Sequence, residues 1–274
     1  MTPPVELVAA DLDGTLVQLR RPPSARVVAA LRACREQGVG VVAVTARRWT
    51  AAAPLLRELE IGPLAIVAGG TELRDVRTGR LIETRLLREG VVAAACRRIL
   101  ESGLQPMVAT GGEGFRAGPA GLDGPAAARY LRRAGVGRVP LSHLGARPAT
   151  RVLAMGSRSR IELAARRCAG LPARRTVQGC IVPLDPGGET PFELHVAAAD
   201  KGDGLRAVCH HLGVAPARTL AIGDSAGDLP MLEAAGVAVV MGQAEPGMRR
   251  HGFVVAPPVE QDGAAAAIER LVLG

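Results

Sequence analysis

Short apolar segments alternate with amphipathic segments at the start of this chain, and this alternation constrains its fold more than any other feature. Residues 5–10, 39–44 and 64–68 are apolar runs of strand length. Continuous apolar character is typical of strands that are buried on both faces of a sheet. Helical spacing of apolar residues occupies 24–37 and 49–59, between these runs. This βαβαβ order predicts an α/β fold with a doubly wound, parallel, Rossmann-like sheet.

The alternation stops near residue 85 and resumes after Asp200. Residues 72–85 are predicted to form a hairpin around Thr78 and Gly79. After Asp200, the pattern again predicts helices at 202–212 and 229–235, with buried strands at 219–222 and 237–241. We therefore expect a core made of residues 1–85 and 189–274, and an α+β domain of residues 86–188 inserted into it. Between residue 85 and Asp200, the pattern predicts helices at 89–102, 125–135 and 159–170 and strands at 105–110, 151–156, 176–183 and 191–196.

Composition and charge argue against a nucleic-acid partner. The 274 residues carry a net charge of +8, but aromatic residues make up only 2% of the chain. Binding of single-stranded nucleic acid usually relies on aromatic side chains that stack on the bases. The arginines occur singly or in pairs along predicted helices, which is typical of a solvated surface. We expect the basic charge, at most, to attract an anionic substrate.

Other features of the composition predict a cytoplasmic protein. The five cysteines lie far apart and include no CxxC pair, which indicates reduced thiols. No apolar stretch reaches the ~20 residues of a membrane helix, and the first residues lack a signal-peptide pattern. We expect no membrane partner, and the sequence leaves the oligomeric state open.

Two carboxylates follow the first predicted strand directly, in the segment Asp11-Leu12-Asp13-Gly14-Thr15. Ligands of open α/β sheets bind at the carboxyl ends of the strands. There, one carboxylate can attack phosphorus while the other protonates the leaving oxygen. The alternative is a purely structural pair, with one aspartate capping a helix and the other in a turn.

Asp224 and Asp228 form a second acidic pair after another predicted strand, in Gly-Asp-Ser-Ala-Gly-Asp at 223–228. Carboxylates that converge at strand ends suit Mg²⁺, which takes oxygen ligands and keeps several waters. The alternative role for Asp228 is to cap the helix that begins at residue 229, and the two roles are compatible.

Two further polar residues complete the candidate phosphate site. Thr45 ends the second predicted strand, where its hydroxyl can bind phosphate oxygens, although a threonine there is often only a turn residue. Lys201 is the only lysine among 34 basic residues. A single lysine in an arginine-rich chain is expected where a compact ammonium group fits and a planar guanidinium does not.

These segments together resemble the haloacid dehalogenase superfamily of phosphatases, specifically the Cof-type branch with an inserted α/β (type IIB) cap. The matching motifs are DLDGT at 11–15, VTAR at 44–47, DKG at 200–202 and GDSAGDLPML at 223–232. The resemblance implies that Asp11 is the nucleophile and Asp13 the general acid/base. It implies that Thr45 and Lys201 hold the phosphoryl group. The implied Mg²⁺ ligands are Asp11, the Asp13 backbone carbonyl and Asp224, with Asp228 in support.

The chain also departs from the family pattern at three positions. Gly69, Gly227 and Gln243 stand where the family often has asparagine. Each change removes or alters a side-chain amide near the expected site, which leaves the substrate preference open. Arg47, Arg116 and Arg151 are candidate substrate-binding residues, the last two in the inserted domain. The glycine-rich residues 111–114 and the five histidines show no spacing of a nucleotide or metal site.

The sequence therefore predicts a Mg²⁺-dependent hydrolase of a small phosphorylated metabolite, with a sugar phosphate favoured. A phosphotransferase or phosphomutase that uses the same chemistry is the nearest alternative. A non-catalytic protein that binds phosphometabolites or nucleic acid is a further alternative, disfavoured by the intact aspartate pair and the scattered arginines.

Overall fold

The computed structural model describes residues 5–19, 21–110, 115–119, 125–133, 136–179 and 191–274. The chain forms two compact units, of which the first comprises Met1–Glu83 and Asp200–Gly274 and the second Thr84–Ala199. The first segment of unit one contains β1 (Leu7–Ala10), α1 (Ala25–Glu36), β2 (Gly40–Val44), α2 (Trp49–Glu58), β3 (Leu64–Val67), β4 (Glu72–Asp75) and β5 (Leu81–Thr84). The second unit contains α3 (Glu89–Leu100), β6 (Met107–Ala109), β7 (Phe115–Ala117), α4 (Pro125–Arg133), β8 (Gly137–Arg138), α5 (Leu141–Leu144), β9 (Arg151–Gly156), α6 (Arg158–Arg167), β10 (Arg174–Gly179) and β11 (Phe192–Ala197). The chain then returns to unit one with α7 (Lys201–Leu212), β12 (Thr219–Gly223), α8 (Leu229–Ala234), β13 (Val237–Val240), β14 (Val254–Val255) and α9 (Gly263–Leu271).

The first unit is built on an eight-stranded sheet in the order β14-β13-β12-β1-β2-β3-β4-β5. All pairs from β14 to β3 are parallel, and β4 joins antiparallel to β3. The predicted parallel core is therefore confirmed, with the β4–β5 hairpin added at one edge. The central strand β1 lies between β2, from the first chain segment, and β12, from the last.

Alternating side chains of the strands pack into two hydrophobic layers. Val8 and Ala10 of β1 face the layer that contains α1, α2 and α9. Leu7 and Ala9 face the opposite layer, which contains α7 and α8. Since both faces are covered by helices, the strands are apolar throughout, which explains the continuous runs in the sequence.

The helix ends follow the local signals in the sequence. The Ser24 hydroxyl accepts a hydrogen bond of 3.1 Å from the Val27 N–H and so caps α1. The Asp200 side chain accepts from the Asp203 N–H, and the Asp203 side chain accepts from the Asp200 N–H. This reciprocal capping box fixes the first turn of α7, where Lys201 is located.

The second unit has a six-stranded sheet in the order β10-β11-β9-β6-β7-β8. Helices α3 and α6 pack on one face of this sheet and α4 on the other. The predicted core was to resume at residue 189, but β11 pairs antiparallel with both β9 and β10 and thereby belongs to the second unit. The first unit instead resumes at Asp200. The glycine-rich residues 111–114 and the end of the predicted strand 176–183 lie outside the described residues.

No helix in the described parts of the chain combines the length and the apolar character that crossing a membrane requires.

Candidate active site

Three adjacent parallel strands deliver the candidate residues to one edge of the first sheet. Asp11 directly follows β1, and its N–H continues the ladder with a 3.0 Å bond to the Ile222 carbonyl of β12. Thr45 follows β2, and Asp224 follows β12. The carboxyl ends of adjacent parallel strands meet at the same edge, so the three residues converge as the sequence predicted.

Lys201 lies between two of the aspartates. Its Nζ is 2.6 Å from Asp11 Oδ1 and 2.5 Å from Asp228 Oδ1. The side chains of Lys201, Asp11 and Asp228 are 6%, 5% and 0% exposed, so almost no water screens these charges. An ammonium group reaches both carboxylates from the start of α7, a role for which a planar guanidinium is poorly shaped.

Asp228 orders the loop that carries Asp224. Its Oδ2 accepts hydrogen bonds from the N–H groups of Asp224 and Ser225 at 3.1 and 2.9 Å, and from the Ser225 hydroxyl at 2.8 Å. Asp228 is the N-cap residue of α8, but its side chain makes no capping bond there, so of the two roles considered its contacts support the orienting one. Ser225 was not singled out in the sequence, because a serine in a turn has no distinctive signal.

Asp224 offers an oxygen that is left unsatisfied among the described residues. Its Oδ1 is buried and has no hydrogen-bond partner in the described parts of the chain. Gly14, with φ of +78°, lies against the same carboxylate, because a Cβ at this position would collide with Asp224 Oδ2. One carboxylate oxygen from each of Asp11, Asp224 and Asp228 lies within 4.8 Å of the others. The site therefore presents an all-oxygen donor set that fits a hard divalent cation.

The pKa shifts in this site show that its negative charges outnumber its positive ones. Burial raises the pKa of Asp11 to about 7, an effect that Lys201 opposes and Asp228 reinforces. Burial likewise raises the pKa of Asp224 to about 8, with the charges of Asp228 and Asp11 adding to it. Burial alone would lower the pKa of Lys201, but Asp11 and Asp228 outweigh it and raise that pKa above its ordinary value. One ammonium group does not neutralise three carboxylates, so this cluster favours the uptake of either protons or a cation.

Arg47 holds Asp13 in a two-pronged ion pair. Arg47 Nη2 and Nε donate to Asp13 Oδ1 and Oδ2 at 2.5 and 2.7 Å. The Arg47 N–H donates to Thr45 Oγ1 at 3.1 Å, and Thr45 is buried. Arg47 was predicted as a substrate-binding residue, whereas the structure shows its guanidinium on the second aspartate of the first motif.

The other two arginines lie in the second unit. Arg116 is an exposed residue of β7. Arg151 begins β9 and is buried, with its Nη1 3.5 Å from Nδ1 of His195. His195 in turn places Nε2 2.9 Å from Glu193 Oε2, so it is part of a polar network in the second unit.

The departures from the family pattern have different structural settings. Gly69 has φ of +72° and donates its N–H to the Thr45 carbonyl at 2.9 Å, so glycine suits its backbone conformation. Gly227 lies in the turn between β12 and α8. Gln243 bonds directly to the first-motif loop, with its Nε2 2.5 Å from the Gly14 carbonyl oxygen.

Comparisons with known proteins agree with this site. The sequence profile of the haloacid dehalogenase-like hydrolases matches residues 8–128 and 176–268. A phosphoglycolate phosphatase from Methanopyrus kandleri is 35% identical over 86 residues, which cover 31% of this chain and 37% of that protein. Another, from Methanothrix thermoacetophila, is 33% identical over 101 residues, 36% of this chain and 45% of that protein. The chain thus spans less than half the length of these two curated relatives.

Solved structures share the whole fold. A subclass IIB sugar phosphatase of the superfamily superposes with a TM-score of 0.79 at 16% identity, covering 97% of this chain and 98% of that one. A haloacid dehalogenase-like hydrolase from Bacillus subtilis gives a TM-score of 0.76 at 23% identity and covers 97% and 100%. At these identities the likeness concerns the fold. Since the family profile covers most of the residues and the strand-end aspartates converge with Lys201, this chain belongs to the haloacid dehalogenase-like hydrolase family, with the fold of its Cof-type, subclass IIB branch.

Proposed function

We propose that this protein is a Mg²⁺-dependent phosphomonoester hydrolase that acts on a small phosphorylated metabolite through an aspartyl-phosphate on Asp11. The observation that carries the proposal is the buried cluster of Asp11, Asp224 and Asp228 around the ammonium group of Lys201. Buried like charges destabilise a folded chain, and clusters of this kind are typical of sites that bind or transform a charged ligand.

Each residue has a defined task in this mechanism. An Asp11 oxygen attacks phosphorus as the bond to the leaving oxygen breaks, and Asp13 donates a proton to that oxygen. Asp13 then accepts a proton from a water molecule that attacks the phosphoryl group, which releases phosphate and restores Asp11. Arg47 orients the ionised Asp13 carboxylate through its two hydrogen bonds, and Asp13 releases one of these bonds when that oxygen carries the proton.

The phosphoryl oxygens require neutralisation before an anionic nucleophile can approach. Lys201 and the hydroxyl of Thr45 are proposed to bind these oxygens. Asp11, Asp224 and the Asp13 backbone carbonyl would hold Mg²⁺, with Asp228 in support, and the bound cation would offset the charge of the phosphoryl group.

A sugar phosphate is the substrate class that we favour, since a subclass IIB sugar phosphatase shares the fold. Phosphoglycolate is a second candidate because several relatives are named as phosphatases of that compound. Arg116 and Arg151 of the second unit are proposed to bind substrate. We place the protein in the cytoplasm and propose no membrane or nucleic-acid partner.

The test is phosphate release from a panel of sugar phosphates, phosphoglycolate, nucleotides and an aryl phosphate, with Mg²⁺ or with EDTA. Wild type is compared with Asp11→Asn and with the matched control Asp75→Asn, an isosteric change in the β4–β5 turn. We expect release that requires Mg²⁺, survives in Asp75→Asn and is lost in Asp11→Asn. Turnover by folded Asp11→Asn would contradict the proposed nucleophile.

The same panel separates the nearest alternative. A phosphotransferase or phosphomutase passes the phosphoryl group from Asp11 to a sugar hydroxyl, so phosphorylated sugars would interconvert without release of phosphate. Chromatography of the products distinguishes this outcome from hydrolysis.

A further inference from the structure

Gln243 lies at the same sheet edge as the aspartates. It follows β13, the strand next to β12, which delivers Asp224. The residue before it, Gly242, packs directly on the backbone of residues 256–258, where a Cβ would crowd the Ala256 carbonyl oxygen at 2.8 Å. This close approach brings the Gln243 side chain within reach of the segment that leads into α9.

The Gln243 amide connects three separate parts of the chain. Its Nε2 donates to the Gly14 carbonyl oxygen at 2.5 Å, and the amide lies close enough to the Asp224 carboxyl to oppose the rise of its pKa. Its Oε1 accepts a bond of 3.0 Å from the Val259 N–H. Val259 is buried in the core that packs against α9, so this end of the amide is anchored.

The Asp224 carboxylate has little freedom between these contacts. One oxygen packs against Gly14, and the other, Oδ1, is buried without a hydrogen-bond partner among the described residues. A carboxylate in water would rotate to satisfy both oxygens. Here the Gln243 amide and the Gly14 backbone restrict the rotation of the Asp224 carboxylate, and one of its oxygens remains available to another ligand.

From this geometry we infer that Gln243 is a positioning residue for the cation site, because it orients the Asp224 carboxylate so that its unsatisfied oxygen is available to a divalent cation. The inference rests on the cation site of the proposed function and extends it to a residue beyond the aspartates. Groups that orient a metal ligand typically contribute about 10- to 100-fold to metal affinity. Since Gln243 is exposed and solvent competes for its hydrogen bonds, we expect an effect of about tenfold, at the lower end of this range.

The main competing explanation is that Gln243 only ties the segment near Val259 to the Gly14 loop. Loss of such a tie would lower the stability of the protein equally with and without Mg²⁺. A positioning role instead reduces the added stability that Mg²⁺ provides, because less cation binds at a given concentration. The two explanations therefore differ in a measurement that does not involve catalysis.

The experiment measures Mg²⁺ affinity by titration calorimetry, and the unfolding temperature with EDTA and with Mg²⁺. The variants are Gln243→Met, which keeps the chain length but removes the amide, and Gln243→Asn, which places the amide one methylene closer to the backbone. Gln261→Met is the matched control, since Gln261 is an exposed glutamine of the same C-terminal segment. Circular dichroism verifies that each variant is folded, and Gln243→Asn serves if Gln243→Met does not fold.

We expect Mg²⁺ to bind about tenfold more weakly to Gln243→Met, less weakly to Gln243→Asn, and with wild-type affinity to Gln261→Met. Wild-type Mg²⁺ affinity in both Gln243 variants would overturn the inference and leave the proposed function intact. A reduction of the unfolding temperature that is equal in EDTA and Mg²⁺, with unchanged affinity, would show the structural tie instead. Absence of Mg²⁺ binding to the wild type would overturn the proposed cation site itself, and the inference with it.

Discussion

Replacement of Lys201 by methionine removes the positive charge that contacts both Asp11 and Asp228. Methionine has a similar length and flexibility, so it fills the same volume without an ammonium group. The variant therefore isolates the charge of Lys201 from its packing. Three carboxylates would remain in a site that is almost closed to solvent.

The distances between the carboxylates determine how much stability Lys201→Met should lose. Their oxygens lie within 4.8 Å of one another, and at an effective dielectric constant of about 20 two unit charges at that distance repel by about 3.5 kcal/mol. Loss of one partner from a buried ion pair typically costs about 3–5 kcal/mol. We therefore expect the free energy of unfolding of metal-free Lys201→Met to fall by about 3–5 kcal/mol at about pH 9.

The loss of stability in Lys201→Met should be smaller at low pH than at high pH. The pKa of Asp11 is already raised to about 7 in the presence of Lys201, and removal of the ammonium group raises it further. A group whose pKa is higher in the folded state stabilises the fold at low pH and loses that contribution as the pH rises through the folded pKa. The variant is therefore expected to lose less stability at about pH 5.5, where a protonated Asp11 relieves the repulsion.

Urea unfolding in EDTA, followed by the fluorescence of Trp49, measures this effect. Trp49 is the only tryptophan and begins α2 of the first unit, so its signal reports the unit that contains the site. Arg206→Met is the control, because the ion pair of Arg206 with Asp203 in the same helix is half-exposed and worth less than about 1 kcal/mol. A loss of stability in Lys201→Met that is the same at both pH values, or no larger than in Arg206→Met, would refute the electrostatic reasoning.

Two further predictions concern protons and Arg47. Burial raises the pKa of Asp11 to about 7 and that of Asp224 to about 8, so the metal-free protein should lose stability as the pH rises from about 4 to about 8. Mg²⁺ should displace these protons and bind more tightly at higher pH, which calorimetry in buffers of different ionisation enthalpy detects as proton release. Replacement of Arg47 by lysine should lower kcat by up to ~100-fold through misorientation of Asp13, since lysine cannot form the two-pronged bond. Mg²⁺ affinity should stay unchanged in Arg47→Lys, and a wild-type kcat would contradict the orienting role.

The site could be predicted from the sequence to the extent that it depends on strand order. Asp11, Thr45 and Asp224 each follow a buried apolar run, and adjacent parallel strands necessarily end at the same edge. The contact of Lys201 with this edge followed from the resemblance to the family, and the structure adds that Lys201 bridges Asp11 and Asp228.

Other features depend on side-chain contacts between distant segments, which leave no periodic trace in the sequence. The pairing of Arg47 with Asp13 and the bonds of Gln243 to Gly14 and Val259 are of this kind. Short elements such as β8 and α5 also escaped prediction, because two to four residues are too few to show a period. The boundary at residue 189 was wrong because it separates the predicted strand 191–196 from the other strands of the inserted region, whereas β11 pairs with β9 and β10 in one sheet.

The position of β1 between β2 and β12 has a consequence for the synthesis of the protein. Leu7 aligns with Gly40 on one side and with Thr219 on the other. While the chain emerges from the ribosome, one side of β1 stays without a partner until β12 has been made, whereas the second unit is a continuous segment whose contacts are all available earlier. An unpaired edge of an apolar strand favours association with other chains. Nascent chains that end before residue 219 are therefore expected to depend on chaperones for solubility, and Asp11 can meet Asp224 and Asp228 only after residue 228 has been made.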